Sequence, residues 1–317
     1  MKKIFRLLKR WINMLNGKSS FHVKQDKGKC YSKTEIKGYY NDLTNKVSEK
    51  TILDENGVPI NTTITAIKAY FPISIFQYAL GLYDLYLMEK DIKYLDKFIN
   101  IANWTKNNQE NSGMWKCMEK LNDSKHKTQS SMCQSEGASV LLRAYVETKN
   151  EEFYDKATLA IDYMIKDIED EGTCYYENNY PIFQEYVSKD NLSVLNGWIF
   201  SIFGLYDYTL INNDEKYKQI LNKTVECIAE NLNKYDRKFW SNYDLKRTIA
   251  SPAYHDLHIK QLLLLYDLFG KKEFLYYAKK WEKYQNSKAK KYLAMVIKLK
   301  QKIFKNKYYD VNTSLVK

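Results

Sequence analysis

From Tyr70 onward the chain alternates two kinds of segment. A mostly apolar stretch ends near a tyrosine, a short polar turn follows, and an aromatic residue then opens a stretch with a single apolar face. Four segments show this: "ALGLYDLYLMEKDIKYLDKF" (79–98), "VLLRAYVETKNEEFYDKA" (140–157), "IFGLYDYTLINNDEKYKQIL" (202–221) and "LLLLYDLFGKKEFLYYAKKW" (262–281). Tyr94, Phe153, Tyr217 and Phe274 are equivalent positions in them, giving a period of roughly 60 residues. The spacing predicts helical hairpins, each with a more apolar inner helix and an amphipathic outer one. Hairpins of this length stack or close on themselves. The expected fold is mainly α, an (α/α) toroid over residues 69–317. In such a toroid the loops that precede the inner helices surround a central cleft, and chemistry belongs there.

Residues 18–68 follow another pattern. "DENGVPINTTITAI" carries an Asn-Gly turn signal and then β-branched alternation, which predicts a short hairpin around Asn56-Gly57 in a small β or irregular segment. Residues 1–17 put Ile4, Phe5, Leu8, Trp11, Ile12 and Leu15 on one side of a helix and basic residues on the other. That pattern fits a helix lying on an anionic membrane surface, or one docked on its own domain. Arg6, Lys9 and Arg10 interrupt the apolar run, so it does not read as a signal peptide. No later stretch is long and apolar enough to span a bilayer.

Composition narrows the partners. The chain has 317 residues and a net charge of +12, which suits an acidic partner such as a polyanionic sugar, a nucleic acid or anionic lipid. No RNA- or DNA-binding motif is present, so nucleic acid is not expected. The five cysteines are scattered without a CxxC pair, which argues against a disulfide framework and for a reducing, cytoplasmic location, with peripheral membrane contact through residues 1–17. The 28 tyrosines offer flat stacking surfaces with a hydroxyl, as sugar-gripping proteins need, though most must serve packing.

The three loops before the later inner helices concentrate Tyr, Trp, Glu and basic residues. In the last of them, "SPAYHDLHIKQL" places His255 and His258 three residues apart on one helical face. Such a pair offers two metal ligands, but no HExxH-like completion supplies a third, and no metal is expected.

Four stretches, "YFPISIFQYALGLYDLYL", "SSMCQSEGASVLLRAYVETKN", "QEYVSKDNLSVLNGWIFSIFGLYDY" and "NYDLKRTIASPAYHDLHIKQL", run in order from about residue 70 to about residue 285. In them the chain resembles the C-terminal domain of the D-glucuronyl C5-epimerase family. The resemblance implies a helical toroid that inverts C5 of glucuronate within a heparan-type polymer, giving iduronate. It places the family's essential Glu-Tyr pair on Glu185 and Tyr186, and two further essential tyrosines on Tyr243 and Tyr254. Gln134, Arg143 and Asn196 lie in the matched motifs as candidate substrate contacts, beside Lys246, Arg247, His255 and His258; Arg143 could equally cap or bridge helices, Lys246 and Arg247 could form a plain basic surface, and His255 or His258 could support Tyr254 or be satisfied within the core. The family's arginine after "YDL" is Lys246 here, its "QGQA" is "QSEG" at Gln134–Gly137, and the Pro after its "EEY" is Val187. The resemblance leaves residues 18–68 as the expected counterpart of the large N-terminal β-region of the animal enzymes.

Epimerisation at C5 removes a proton alpha to a carboxylate and returns one from the opposite face. It needs two opposed proton-transfer groups and stabilisation of the developing dianion, and no cofactor. Glu185 and Tyr254 are the expected opposed pair, with Lys246 and Arg247 facing the substrate carboxylate. Three alternatives stay open. The same carbanion in a polysaccharide lyase expels the C4 oxygen. A toroidal glycoside hydrolase would pair Glu185 with Asp244 or Asp256. An inactive homologue would only bind carbohydrate. The expected partner is an acidic polysaccharide in a capsule-type pathway, with a homodimer left open.

Overall fold

The computed structural model describes residues 13, 23–48, 50–62, 68–117, 129–188 and 191–304. Apart from Asn13, the expected helix over residues 1–17 lies outside them, as do His22 and His126. The described chain is mainly α. Its helices are α1 (Pro72–Glu89), α2 (Ile92–Asn107), α3 (Ser131–Thr148), α4 (Glu151–Ile165), α5 (Leu195–Thr209), α6 (Glu215–Tyr235), α7 (Pro252–Phe269), α8 (Lys272–Gln285) and α9 (Lys288–Phe304).

The repeat has a local cause. Between α1 and α2, α3 and α4, and α7 and α8, the chain turns through two residues, the first left-handed: Lys90 (φ 59°), Lys149 (φ 56°) and Gly270 (φ 70°). Each of these donates its N–H, at 2.8 Å, to a tyrosine carbonyl one turn back: Tyr86, Tyr145 and Tyr266. Asp91 and Asn150 then cap the second helix by accepting the N–H of Lys93 and Glu152. Between α5 and α6 the turn is longer, and Asp214 accepts from the Lys216 N–H at 2.8 Å. Tyr94, Phe153, Tyr217 and Phe274 are each the third residue of the second helix; the last three are buried.

The described chain divides into two compact units. The larger comprises residues 28–193 and 197–227. Its inner helices approach through small residues. The Ser135 hydroxyl on α3 donates to the Phe200 carbonyl (2.6 Å) and accepts from the Gly204 N–H (3.0 Å) on α5. One turn on, Arg143 and Asp207 form an ion pair at 2.6 Å, both at most 1% exposed in their side chains. Tyr40 and Ser139 donate their hydroxyls to the same carboxylate. The N-terminal segment packs on α1: the Tyr39 N–H donates to Asp84, and Gly81 lies against the Leu43 carbonyl where a Cβ would come within 2.5 Å.

The expected turn at Asn56-Gly57 is present. Gly57 has φ +77°, the Ile60 N–H bonds the Ile52 carbonyl, and Leu53 bridges Pro59. Strands β1 (Asn61–Thr62) and β2 (Lys68–Ala69) pair antiparallel. A second hairpin joins β3 (Cys174–Glu177) to β4 (Tyr180–Phe183), with Cys174 opposite Phe183 and Glu177 opposite Tyr180. Its two-residue turn, Asn178-Asn179, has φ 52° and 65°, the paired left-handed conformation that matches strand twist.

Of the described residues, the smaller unit comprises 13, 23–27, 194–196 and 228–304. Its core holds Trp240 and Trp281, both fully buried between α7, α8 and the loop before α7. No helix among the described residues is long and apolar enough to cross a membrane.

Candidate active site

Glu185 follows β4 by two residues, and backbone bonds fix its place in the larger unit. The Gln184 carbonyl accepts from the Ser131 N–H (3.0 Å) at the start of α3, and the Val187 N–H donates to the Gln129 carbonyl. The Gln184 side chain accepts from the Ser193 N–H (3.1 Å), closing the loop that carries the Glu-Tyr pair. Glu185 is buried and Tyr186 half-buried. The carboxylate lies against the first turn of α5, the positive end of that helix. A Cβ on Gly197 would fall 2.3 Å from Glu185 Cβ and 2.4 Å from its Oε2, so only glycine leaves room there.

Tyr243 and Tyr254 belong to the smaller unit, where they meet: their rings lie 4.9 Å apart at 57°. Tyr243 sits in a tight loop closed by its N–H on the Thr248 carbonyl (2.6 Å) and by Asp244 accepting from the Thr248 N–H (2.9 Å). The Tyr243 carbonyl accepts from the Leu195 N–H, the first of α5. Tyr254 stands in the first turn of α7, capped by the Ser251 side chain, and is half-buried. Lys246 and Arg247 are exposed at the loop tip. Arg237 and Gln301 hold that tip by donating to the Arg247 carbonyl (2.8 and 3.1 Å). Lys298 stands 5.8 Å from the Tyr243 ring centre. One unit thus offers a carboxylate with a tyrosine, and the other two phenols in contact with each other, one of them beside Lys298.

Several expected substrate contacts are spent on structure instead. Arg143 is enclosed and committed to Asp207, Ser139 and Gly38, so it bridges α3, α5 and the N-terminal segment. Burial opposes its charge, but Asp207 more than offsets this and raises its pKa. Gln134 is enclosed too; its amide spans the Gly113 carbonyl (3.0 Å) and the Trp115 N–H (3.3 Å) and braces the 109–117 loop. His255 and His258 are fully buried. Both Nδ1 atoms meet the Ser241 hydroxyl, at 2.8 and 3.0 Å. Because the Ser241 N–H also points at His255 Nδ1, that nitrogen is an acceptor and Nε2 donates to the Trp281 carbonyl. His255 further stacks on Trp240 at 3.7 Å. Burial pushes His255 down to about 3 and lowers His258 as well. The pair is a neutral core element that seats α7. Asn196 is buried, with its carbonyl accepting from Gln261.

Two residues carry weight that the sequence reading gave them no share of. Gly197, in "SVLNG", admits Glu185. Glu136, in "QSEG", is wholly buried on α3 in the larger unit. The signal for the first is a glycine inside an apolar helix; for the second, an acidic residue inside a segment that is otherwise core.

The profile described as D-glucuronyl C5-epimerase C-terminus matches residues 109–283, more than half of the chain, and the chain belongs to that family. It is 25% identical over 189 residues to a D-glucuronyl C5-epimerase of Caenorhabditis elegans, covering 51% of this chain and 30% of that protein. It is 30% identical over 154 residues to an uncharacterised protein of Methanocaldococcus jannaschii, covering 47% and 50% respectively. The chain therefore spans half or less of the curated relatives it matches. Among solved structures, the unsaturated glucuronyl hydrolase of Bacillus sp. GL1, responsible for the degradation of glycosaminoglycan, aligns with TM-score 0.46 and 13% identity, covering 67% of this chain and 60% of that one.

Proposed function

We propose that this chain is a cofactor-independent uronate C5-epimerase that converts D-glucuronate to L-iduronate within a heparosan-like or capsular polysaccharide. The observation that carries the reading is the buried Glu185 on Gly197, at the position of the family's Glu-Tyr pair. Glu185 takes the C5 proton as general base, and the electron pair left at C5 spreads onto the uronate carboxylate. Tyr254 delivers its hydroxyl proton to the opposite face of C5; Glu185 then loses its proton to solvent and the Tyr254 phenolate regains one from solvent, so both groups return to their starting states. Tyr243, packed on Tyr254, orients that hydroxyl, and Tyr186 lines the carboxylate side. Lys246 and Arg247 attract the uronate carboxylate; lysine acts there as a point charge without the bidentate fork of arginine.

Incubation with heparosan in heavy water tests this. Deuterium at C5 with chain length intact supports it. Chain shortening with a near-ultraviolet chromophore means a lyase, and new reducing ends without C5 exchange mean a hydrolase; either result overturns the proposal. Glu185→Gln and Tyr254→Phe should each lose exchange by about 100-fold or more while the fold is kept.

A further inference from the structure

The loop that carries Tyr243 is held from α9, a helix beyond residue 283, where the match to the family profile ends. Asn242 and Ile249 bridge antiparallel at the base of this loop, and the Tyr243 N–H donates to the Thr248 carbonyl at 2.6 Å. Ile249 is fully buried, so its backbone groups cannot turn to water. Both are met by α9 instead. Lys298 Nζ donates to the Ile249 carbonyl at 2.6 Å, a charge-assisted bond, and Gln301 Oε1 accepts from the Ile249 N–H at 3.0 Å. Three residues apart, Lys298 and Gln301 share one face of the helix. Gln301 Nε2 also reaches the Arg247 carbonyl at 3.1 Å, where Arg237 donates at 2.8 Å. Arg247 is itself left-handed (φ 61°), a conformation that a residue with a side chain keeps only when its surroundings fix it. Lys298 Nζ further lies 5.8 Å from the Tyr243 ring centre, close enough for the ring to attract its charge.

We propose that Lys298 and Gln301 are positioning residues of the active site: from α9 they fix the Tyr243 loop, and through it the ring against which Tyr254 is set. This rests on the reading of Tyr243 as the residue that orients the Tyr254 hydroxyl. The path between them is short. Tyr243 is bonded across the loop to Thr248, which adjoins Ile249, so a displaced Ile249 draws the Tyr243 backbone with it. The Tyr243 ring in turn lies 4.9 Å from that of Tyr254. Proton delivery tolerates little misplacement, and about 1 Å costs on the order of 100-fold. The two clamps differ in kind. Lys298 brings a bond and a charge beside the Tyr243 ring, whereas Gln301 brings two bonds and no charge.

Amide hydrogen exchange of the intact protein reads the clamp without turnover, beside C5 exchange on heparosan. In Lys298→Met the Tyr243, Thr248 and Ile249 amides should lose protection by about tenfold or more, while those of α8 keep theirs. For C5 exchange, kcat should fall about tenfold with KM within about threefold, the mark of lost transition-state positioning rather than lost binding. Lys298→Arg restores a donor and a charge and should recover kcat to within about threefold. Lys300→Met removes a charge from an exposed position of the same helix and should match the wild type to within about twofold in both readouts. Gln301→Met takes away the other two bonds and should loosen the same amides; it carries the test if Lys298→Met does not fold. Unchanged protection in folded Lys298→Met or in Gln301→Met, a kcat loss that Lys298→Arg does not recover, or an equal loss in Lys300→Met overturns the proposal. Failure of the wild type to exchange C5 protons would sink the epimerase reading instead, and amide protection would still decide whether α9 holds the Tyr243 loop.

Discussion

Removing one partner of the Arg143–Asp207 pair should be the most damaging single change in the larger unit. In Arg143→Met, Asp207 keeps only the Tyr40 and Ser139 hydroxyls, at 2.8 and 2.6 Å, for a carboxylate with no exposure. An uncompensated buried charge costs about 3–5 kcal/mol. The Gly38 carbonyl loses the Arg143 donor as well, which adds about 1 kcal/mol. Asp207→Asn keeps the shape, leaves the guanidinium buried without its counter-charge, and should cost a similar 3–5 kcal/mol. If the two act as a unit, Arg143→Met with Asp207→Asn costs about as much as either alone, so the interaction term offsets nearly one whole single-variant effect. Urea unfolding followed by tryptophan fluorescence gives each value, provided the denaturant slope is unchanged. A single variant that costs under about 1 kcal/mol, or a double variant that equals the sum of the singles to within about 0.5 kcal/mol, refutes the reasoning.

Gly197→Ala should push Glu185 off the first turn of α5, since the added Cβ meets the Glu185 side chain at 2.3–2.6 Å. The expected loss of C5 exchange is about 100-fold from misplacement, with a stability cost of about 1–3 kcal/mol; wild-type exchange in this variant would contradict the placement. His255 and His258 are held neutral, so only the unfolded chain takes up their protons near pH 6.5. The His255 contribution is complete above that pH and is lost as pH falls toward about 3, at up to about 1.4 kcal/mol per pH unit, and His258 acts in the same direction. His255→Asn should flatten the slope of unfolding free energy against pH below 6 by about that amount; an unaltered slope contradicts burial of a neutral imidazole. Lys149→Gly relieves a left-handed lysine at the α3–α4 turn and should stabilise by about 1 kcal/mol, read as a higher urea midpoint.

The hairpin turns were legible because they are local. Lys90-Asp91, Lys149-Asn150 and Gly270-Lys271 each combine a left-handed residue with a helix start, and the aromatic two residues into the next helix marks where packing resumes. The Asn56-Gly57 turn was legible for the same reason. Asn178-Asn179 carried an equally local signal between strand-like residues, and passing over it hid the hairpin that delivers Glu185. Glu185, Tyr186, Tyr243 and Tyr254 came from motif resemblance, and no periodicity would have singled out four positions among so many tyrosines and acids.

The sequence alone determined the mainly helical class, the hairpin period and the motif positions, because backbone preferences and side-chain periodicity act over a few residues. Which polar residues face a ligand was decided by tertiary packing. Arg143, Gln134, His255 and His258 look like site residues in a string of letters, yet each is buried and hydrogen-bonded to a partner from a distant segment. Glu136 looks like an ordinary helix carboxylate, and only its complete burial in the folded chain raises its pKa to about 8. Desolvation depends on what surrounds a group in three dimensions, and that is set by contacts between residues far apart along the chain.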